Sequence, residues 1–215
     1  MISILMPVYN GIEFMETSVH SVLEQTHKGW ELLIGINGHP PDSEVYQIAK
    51  TYETDPRIRV LDLLTQGKSN TLNELLHHCT YDWIALLDVD DIWLPTKLQK
   101  QLPLMRIYDV IGTHCHYFGE RLGQPNIPTG DLRTHDFLKV NPIINSSCLV
   151  KKEHCLWDGT VGVEDYDLWL RLWRKKCRFY NIPEPLTLHR IYQSSAFNAK
   201  GNHLQARDVV ERYRE

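Results

Sequence analysis

The spacing of apolar and polar positions changes period repeatedly along the first half of the chain. Residues 2–8 form a nearly unbroken apolar run, the pattern of a short strand covered on both faces. Residues 13–25 switch to a helical period, with Met15, Val19, Val22 and Leu23 on one side. A second apolar run over 31–36 ends in Asn37-Gly38-His39-Pro40-Pro41, a cluster of turn formers. Ser43 suits the N-cap of a helix reaching about Tyr52. Residues 58–64 read as a third strand. Residues 70–78 fit a helix that turns Leu72, Leu75 and Leu76 inward, and 83–87 form a fourth strand, apolar throughout.

This alternation predicts an α/β fold, a mostly parallel twisted sheet with helices on both faces. Ligands of such sheets bind beyond the carboxyl ends of the strands. The loops at 9–11, 37–38, 66–69 and 88–91 should therefore meet on one rim. The second half is less regular and predicts a smaller mixed region. Residues 110–118 alternate like a strand, 119–135 read as a loop, 148–151 as a short strand and 165–176 as a strong helix. A terminal helix is expected over 203–215. With no repeat or linker in view, one domain over 1–215 is expected, with halves at 1–100 and 101–200 and a terminal helical piece at 201–215. The abrupt end also suits a segment of a longer protein.

Composition narrows the class. At 215 residues and 42% hydrophobic, the chain can bury a core without staples, and disorder is excluded. Lys+Arg is 23 against 27 Asp+Glu, so the net charge of −4 gives no support to a nucleic-acid binder. The run at 2–8 is too short for a signal peptide or a membrane span. The 5 cysteines include no Cys-x-x-Cys, which disfavours a disulfide framework or a cysteine zinc site and points to a reducing, cytoplasmic setting.

Candidate chemistry concentrates at Asp88-Val89-Asp90-Asp91, three carboxylates directly after an apolar strand. Like charges this close need an offsetting cation, and hard oxygen ligands suit Mg²⁺ or Mn²⁺. The alternative is an N-cap ahead of the helix near Lys97. Trp169 and Trp173, four apart on one helix, read as core, whereas Trp157 beside Gly159 and Gly162 reads as an acceptor contact.

Four segments in order resemble family 2 glycosyltransferases of the GT-A fold: Ser3-Ile4-Leu5-Met6-Pro7-Val8-Tyr9-Asn10, Ser21-Val22-Leu23-Glu24-Gln25-Thr26, Asp88-Val89-Asp90-Asp91 and Glu164-Asp165-Tyr166-Asp167-Leu168-Trp169-Leu170. The resemblance implies that Pro7, Val8 and Tyr9 line the base pocket. It implies that Asp88 lies near the ribose and that Asp90, with Asp88, holds the divalent ion at the diphosphate. It makes Asp165 the general base, preceded by Glu164. Gly67-Lys68-Ser69 through Asn73 resembles the donor-binding turn, where Lys68 meets a phosphate or the base, or is a surface lysine. His189 is expected as a further metal ligand in a late loop, and Arg190 as a phosphate clamp. One departure concerns the base: Ile36-Asn37 stands where the family has paired acids, and Asn37 can still donate and accept.

The implied function is inverting transfer from a nucleotide-sugar donor to a hydroxyl of a glycan or other acceptor, with Mn²⁺ or Mg²⁺. UDP-sugars come first, ahead of dTDP- and GDP-sugars. A sugar-phosphate nucleotidyltransferase is the alternative enzyme, but Met6-Pro7-Val8-Tyr9-Asn10-Gly11 lacks its glycine-rich basic loop. A degenerate nucleotide-sugar-binding module is the non-enzyme alternative.

Overall fold

Four strand segments of the first half become parallel neighbours in one sheet. The computed structural model describes residues 1–193 and 202–214. Strand β1 (Ile2–Val8) lies between β2 (Trp30–Asn37) and β4 (Trp83–Leu86), with β3 (Ile58–Leu63) beyond β2. All three of these pairings are parallel. Every residue of β2 is buried, which explains why its sequence is an apolar run and not an alternation.

Beyond β4 the sheet becomes mixed. Strand β8 (Leu149–Lys151) pairs antiparallel with β4 and with β6 (Val110–Gly119). Strand β9 (Phe179–Ile191) runs parallel to β6. It also pairs antiparallel with β5 (Ile92–Trp93) and with β7 (Gly130–Asp131). The expected loop at 119–135 thus contains a two-residue strand. His189 and Arg190 stand on the end of β9, not in a late loop.

Helices cover both faces. On one side, α3 (Lys68–His78), α5 (Glu164–Arg174) and α6 (Asn202–Glu211) pack Leu72, Leu75, Leu168, Leu172 and Val209 against Leu5, Leu33 and Leu86. On the other, α1 (Met15–Leu23), α2 (Glu44–Lys50) and α4 (Lys97–Gln101) meet Ile4, Met6, Ile34 and Ala85. Side chains alternate across the pleat, so one strand serves both cores. Ser43 caps α2, its hydroxyl accepting the Tyr46 N–H at 3.3 Å. Helix α3 starts at Lys68, two residues before the expected 70, because Gly67 at φ 88° reverses the chain there. Residues 201 and 215 of the expected terminal piece lie outside the described residues. The 5 cysteines are free thiols, and no helix among the described residues is long and apolar enough to cross a membrane.

Candidate active site

The residue that follows β4, the ends of β6 and β9, the first turns of α3 and α5 and one side of α6 surround a cleft of about 1230 Å³. Lys68, Asp88, Asn145, Glu164, Asp165 and His189 line it. Asp88 follows β4 closely. Its carboxylate accepts Asn145 Nδ2 at 3.1 and 3.3 Å and lies 2.7 Å from the Lys68 ammonium. Its backbone N–H donates to Ser146 Oγ at 3.1 Å. Lys68 Nζ is also 3.4 Å from Glu164, so one cation joins the end of β4 to the start of α5. Burial opposes the charge on Lys68, but Asp88, Glu164 and Asp165 outweigh it and hold the ammonium above its usual range. Burial likewise opposes ionisation of Asp88; Lys68 and Asn145 reverse this and keep the carboxyl below its usual range.

Asp90 and Asp91 have different surroundings. Burial first, then the neighbouring Asp91 and Asp88, push Asp90 up to about 6, partly offset by a hydrogen bond with Tyr192. Asp91 has no exposed surface. It accepts the Arg190 backbone N–H at 2.8 Å and pairs with His189 Nδ1 at 3.0 Å. Arg190 Nε donates to the Asp90 carbonyl at 2.9 Å, and its guanidinium lies 4.2 Å from the Phe14 ring and 4.3 Å from the Phe118 ring. Burial alone would lower the His189 imidazole; Asp91 raises it above its usual value.

Asp165 opens α5 together with Glu164. Its Oδ1 accepts the Tyr166 N–H at 2.7 Å, and its Oδ2 accepts Asn141 Nδ2 at 3.3 Å. Burial, followed by the adjacent Glu164, pushes Asp165 up to about 6, partly countered by Lys68. A carboxylate poised near neutrality in a cleft is suited to taking a proton.

The remaining expected residues divide. Tyr9 is 56% exposed on the rim, its ring 5.4 Å from the His39 ring. Pro7 sits within β1 opposite Gly35. The Val8 side chain is in the core, and its carbonyl accepts Asn37 Nδ2 at 3.0 Å. Asn37 therefore joins β1 to β2 and is buried. Asn73 clasps the backbone of Trp157: Nδ2 donates to the carbonyl at 2.8 Å and Oδ1 accepts the N–H at 2.9 Å. Trp157 itself is 2% exposed. Its expected role as an acceptor contact is corrected, because packing in the core under α3 leaves it no open face. Sequence reasoning missed Asn141, Asn145, Ser146 and Tyr192. The one available signal was a pair of asparagines four apart around Ile143-Ile144, just ahead of β8.

Among the described residues, no three His, Cys, Asp or Glu side chains converge as a ready-made metal cluster, so Asp88, Asp90 and His189 do not form one. The donor set nevertheless fits a hard divalent ion that completes its shell with phosphate oxygens and water. Asp90 is crowded by two acids, and Asn145 Oδ1 beside Asp88 is buried without a hydrogen-bond partner.

The model of glycosyl transferase family 2 matches residues 3–214. The chain is 32% identical over 210 residues to the O-antigen biosynthesis glycosyltransferase WbnJ of Escherichia coli, spanning 91% of this chain and 81% of that protein. Its structure is similar to S. aureus TarS 1-349 in complex with UDP, with a TM-score of 0.75 at 13% identity over 99% of this chain and 70% of that one. It is also similar to the mannosyltransferase PcManGT from Pyrobaculum calidifontis in complex with GDP-Man and Mn²⁺, with a TM-score of 0.69 at 15% identity over 91% and 58% of the two chains.

Proposed function

The chain belongs to glycosyl transferase family 2 and is a glycosyltransferase of the GT-A fold, and on that premise we propose that it moves a sugar, with inversion, from a nucleoside-diphosphate donor to an acceptor hydroxyl with the aid of Mn²⁺ or Mg²⁺. The observation that carries the reading is the Lys68 bridge between Asp88 after β4 and Glu164 at the start of α5, which share one cleft with Asp165.

The groups in that cleft and those on the adjoining rim of the sheet each have a part in the transfer. The exposed Tyr9 ring, beside His39, offers a flat face to a nucleoside base. Asp90 and Asp88, with His189, would hold the divalent ion, which when bound supplies positive charge against the departing diphosphate. Arg190, kept in place by Asp91, Phe14 and Phe118, presents a guanidinium suited to a phosphate oxygen. Lys68 keeps Asp88 ionised and places a cation between donor and acceptor sides. Asp165 accepts the proton of the acceptor hydroxyl as its oxygen attacks the anomeric carbon from the face opposite the leaving group. Asn141 holds the orientation of the Asp165 carboxylate.

Uridine diphosphate sugars are the first donors to test, supported by the UDP bound to the similar TarS structure; the GDP-Man bound to PcManGT keeps guanosine in the set, with deoxythymidine beside it. A thermal-shift panel of UDP-, dTDP- and GDP-sugars with and without Mn²⁺ tests the proposal. A ligand confined to the native state adds about 2.7 kcal/mol at a hundredfold excess over Kd. One donor class should raise the melting temperature only when Mn²⁺ is present. No shift with any donor would reject the reading, and a shift without slow donor hydrolysis would favour a binding module.

A further inference from the structure

A second cavity, of about 660 Å³, is enclosed by the turn over residues 132–138, the end of α5 and the start of β9. It shares only Leu138 with the lining of the cleft described above. About 12 Å of helical rise lies between Asp165 and Trp173, which lines it. Its walls are apolar: Leu132 and Phe179 are buried, and Leu138 and Trp173 are half-buried. Phe137 braces two of them from behind, stacked on Trp173 with ring centres 5.6 Å apart and edge-on to Phe179 at 4.8 Å. Around these walls stand Arg133, Lys176 and Arg178. The carboxylate in the lining, Asp136, is paired with Lys139 at 3.6 Å, a residue outside the cavity.

The three cations are set up in different ways. Arg133 Nε donates to Asp131 at 3.0 Å and Arg178 Nε to Asp109 at 3.4 Å, and neither acid lines the cavity. Among the described residues, the terminal nitrogens of both guanidiniums make no hydrogen bond, and Lys176 has no ion pair. Lys176 closes α5 in the left-handed region, at φ 61°. Its N–H donates to the Trp173 carbonyl at 2.9 Å, and the Cys177 N–H to that of Leu172 at 3.1 Å. Glycine fills such a place at lower cost, so lysine sets a charge at the cavity against the backbone preference.

We propose that this cavity is a second, non-catalytic site for a nucleoside diphosphate, with the base against the apolar walls and the phosphates on Arg133, Lys176 and Arg178. The inference goes beyond the transferase reading and does not depend on it, since none of the residues assigned to the transfer lines the cavity. Guanidiniums fixed through Nε and open at their terminal nitrogens are set for bidentate bonds to phosphate oxygens. Like charges gathered in one place repel unless an anion joins them. The volume lies in the range of small-molecule sites. Inorganic phosphate would leave the walls in water, and a sugar acid brings the anion with little apolar surface; a nucleoside diphosphate brings both.

Equilibrium dialysis of UDP and of GDP against the full chain, with Mn²⁺ and in EDTA, tests this. The wild type is compared with R133Q/K176Q, and with K176Q alone as a milder variant. At least one nucleotide should occupy two sites per chain with Mn²⁺ and one in EDTA. The metal-independent site should weaken at least tenfold in R133Q/K176Q and about threefold in K176Q, while the Mn²⁺-dependent site is kept. The matching nucleoside and inorganic pyrophosphate should each compete for the metal-independent site at least tenfold more weakly than the nucleotide. No metal-independent site for either nucleotide, a site unmoved in both variants, or pyrophosphate binding as tightly as the nucleotide overturns the proposal. Tighter binding of a tetragalacturonide overturns it in favour of an acidic glycan. Absence of the Mn²⁺-dependent site, with the metal-independent one present and sensitive to the substitutions, upholds this proposal and marks failure of the donor reading instead.

Discussion

Asp91 holds His189 Nδ1 at 3.0 Å from a carboxylate with no exposed surface. The third acid after β4 therefore anchors the end of β9 and not a ligand directly, since its other oxygen takes the Arg190 backbone N–H. Removing one partner from a buried ion pair costs about 3 kcal/mol. Asp91→Asn should lower the melting temperature. It should also bring the His189 titration, followed by NMR, down from its raised position, because Asp91 is what raises it. An unmoved His189 titration would contradict the pairing.

The acid limb of activity should report Asp165. This carboxyl is pushed up to about 6 by burial and by Glu164, and a base works only when deprotonated. Rate should therefore fall as pH drops through about 6. Glu164→Gln removes a neighbouring negative charge and should move the limb to lower pH. Lys68→Met removes the cation that favours the ionised Asp165 and should move it to higher pH. A limb that stays in place in both variants would assign it to another group.

Lys68→Met should also weaken donor binding. Asp88 loses the partner 2.7 Å away that keeps it ionised, leaving Asn145 as its remaining side-chain contact at the cleft. We expect at least a tenfold rise in the donor Kd by calorimetry, with Lys68→Arg retaining part of the affinity. Wild-type affinity in Lys68→Met would separate Asp88 from donor binding.

Stability should depend on Lys97. This side chain is fully buried, 4.0 Å from the centre of the Trp93 ring, and donates to Gln101 at 2.9 Å. Burial lowers its amine to about 7. Between that value and the ordinary lysine range the unfolded chain binds the extra proton, so this group makes stability rise with pH across that window. Below about 7 the penalty is fully present. Lys97→Met should raise stability by a few kcal/mol at neutral pH and flatten the rise above it, as read by urea denaturation. A destabilised variant with the pH dependence intact would refute this account of Lys97.

The parallel half was legible in the residues because β1, β2 and β4 are covered on both faces and so read as apolar runs. Strand β9 was not, since Pro183, Glu184 and Pro185 interrupt its pattern and its register against β6 shifts around His114. Asp88, Asp90 and Asp165 were visible from spacing and resemblance. Asn145 and Asn141 were hidden because their value lies in contacts with acids distant in sequence. Trp157 misled for the reverse reason: flanking glycines suggested an open loop, whereas Asn73 pulls its backbone against α3.

The central claim is that Asp165 removes the acceptor proton in a cleft that binds a nucleotide sugar. Donor affinity and turnover of Asp165→Asn, measured side by side on the donor found in the panel, test it most directly. We expect donor Kd within about threefold of wild type and a loss of turnover of about 10²-fold or more. Turnover near the wild-type rate, with donor still bound, would contradict it.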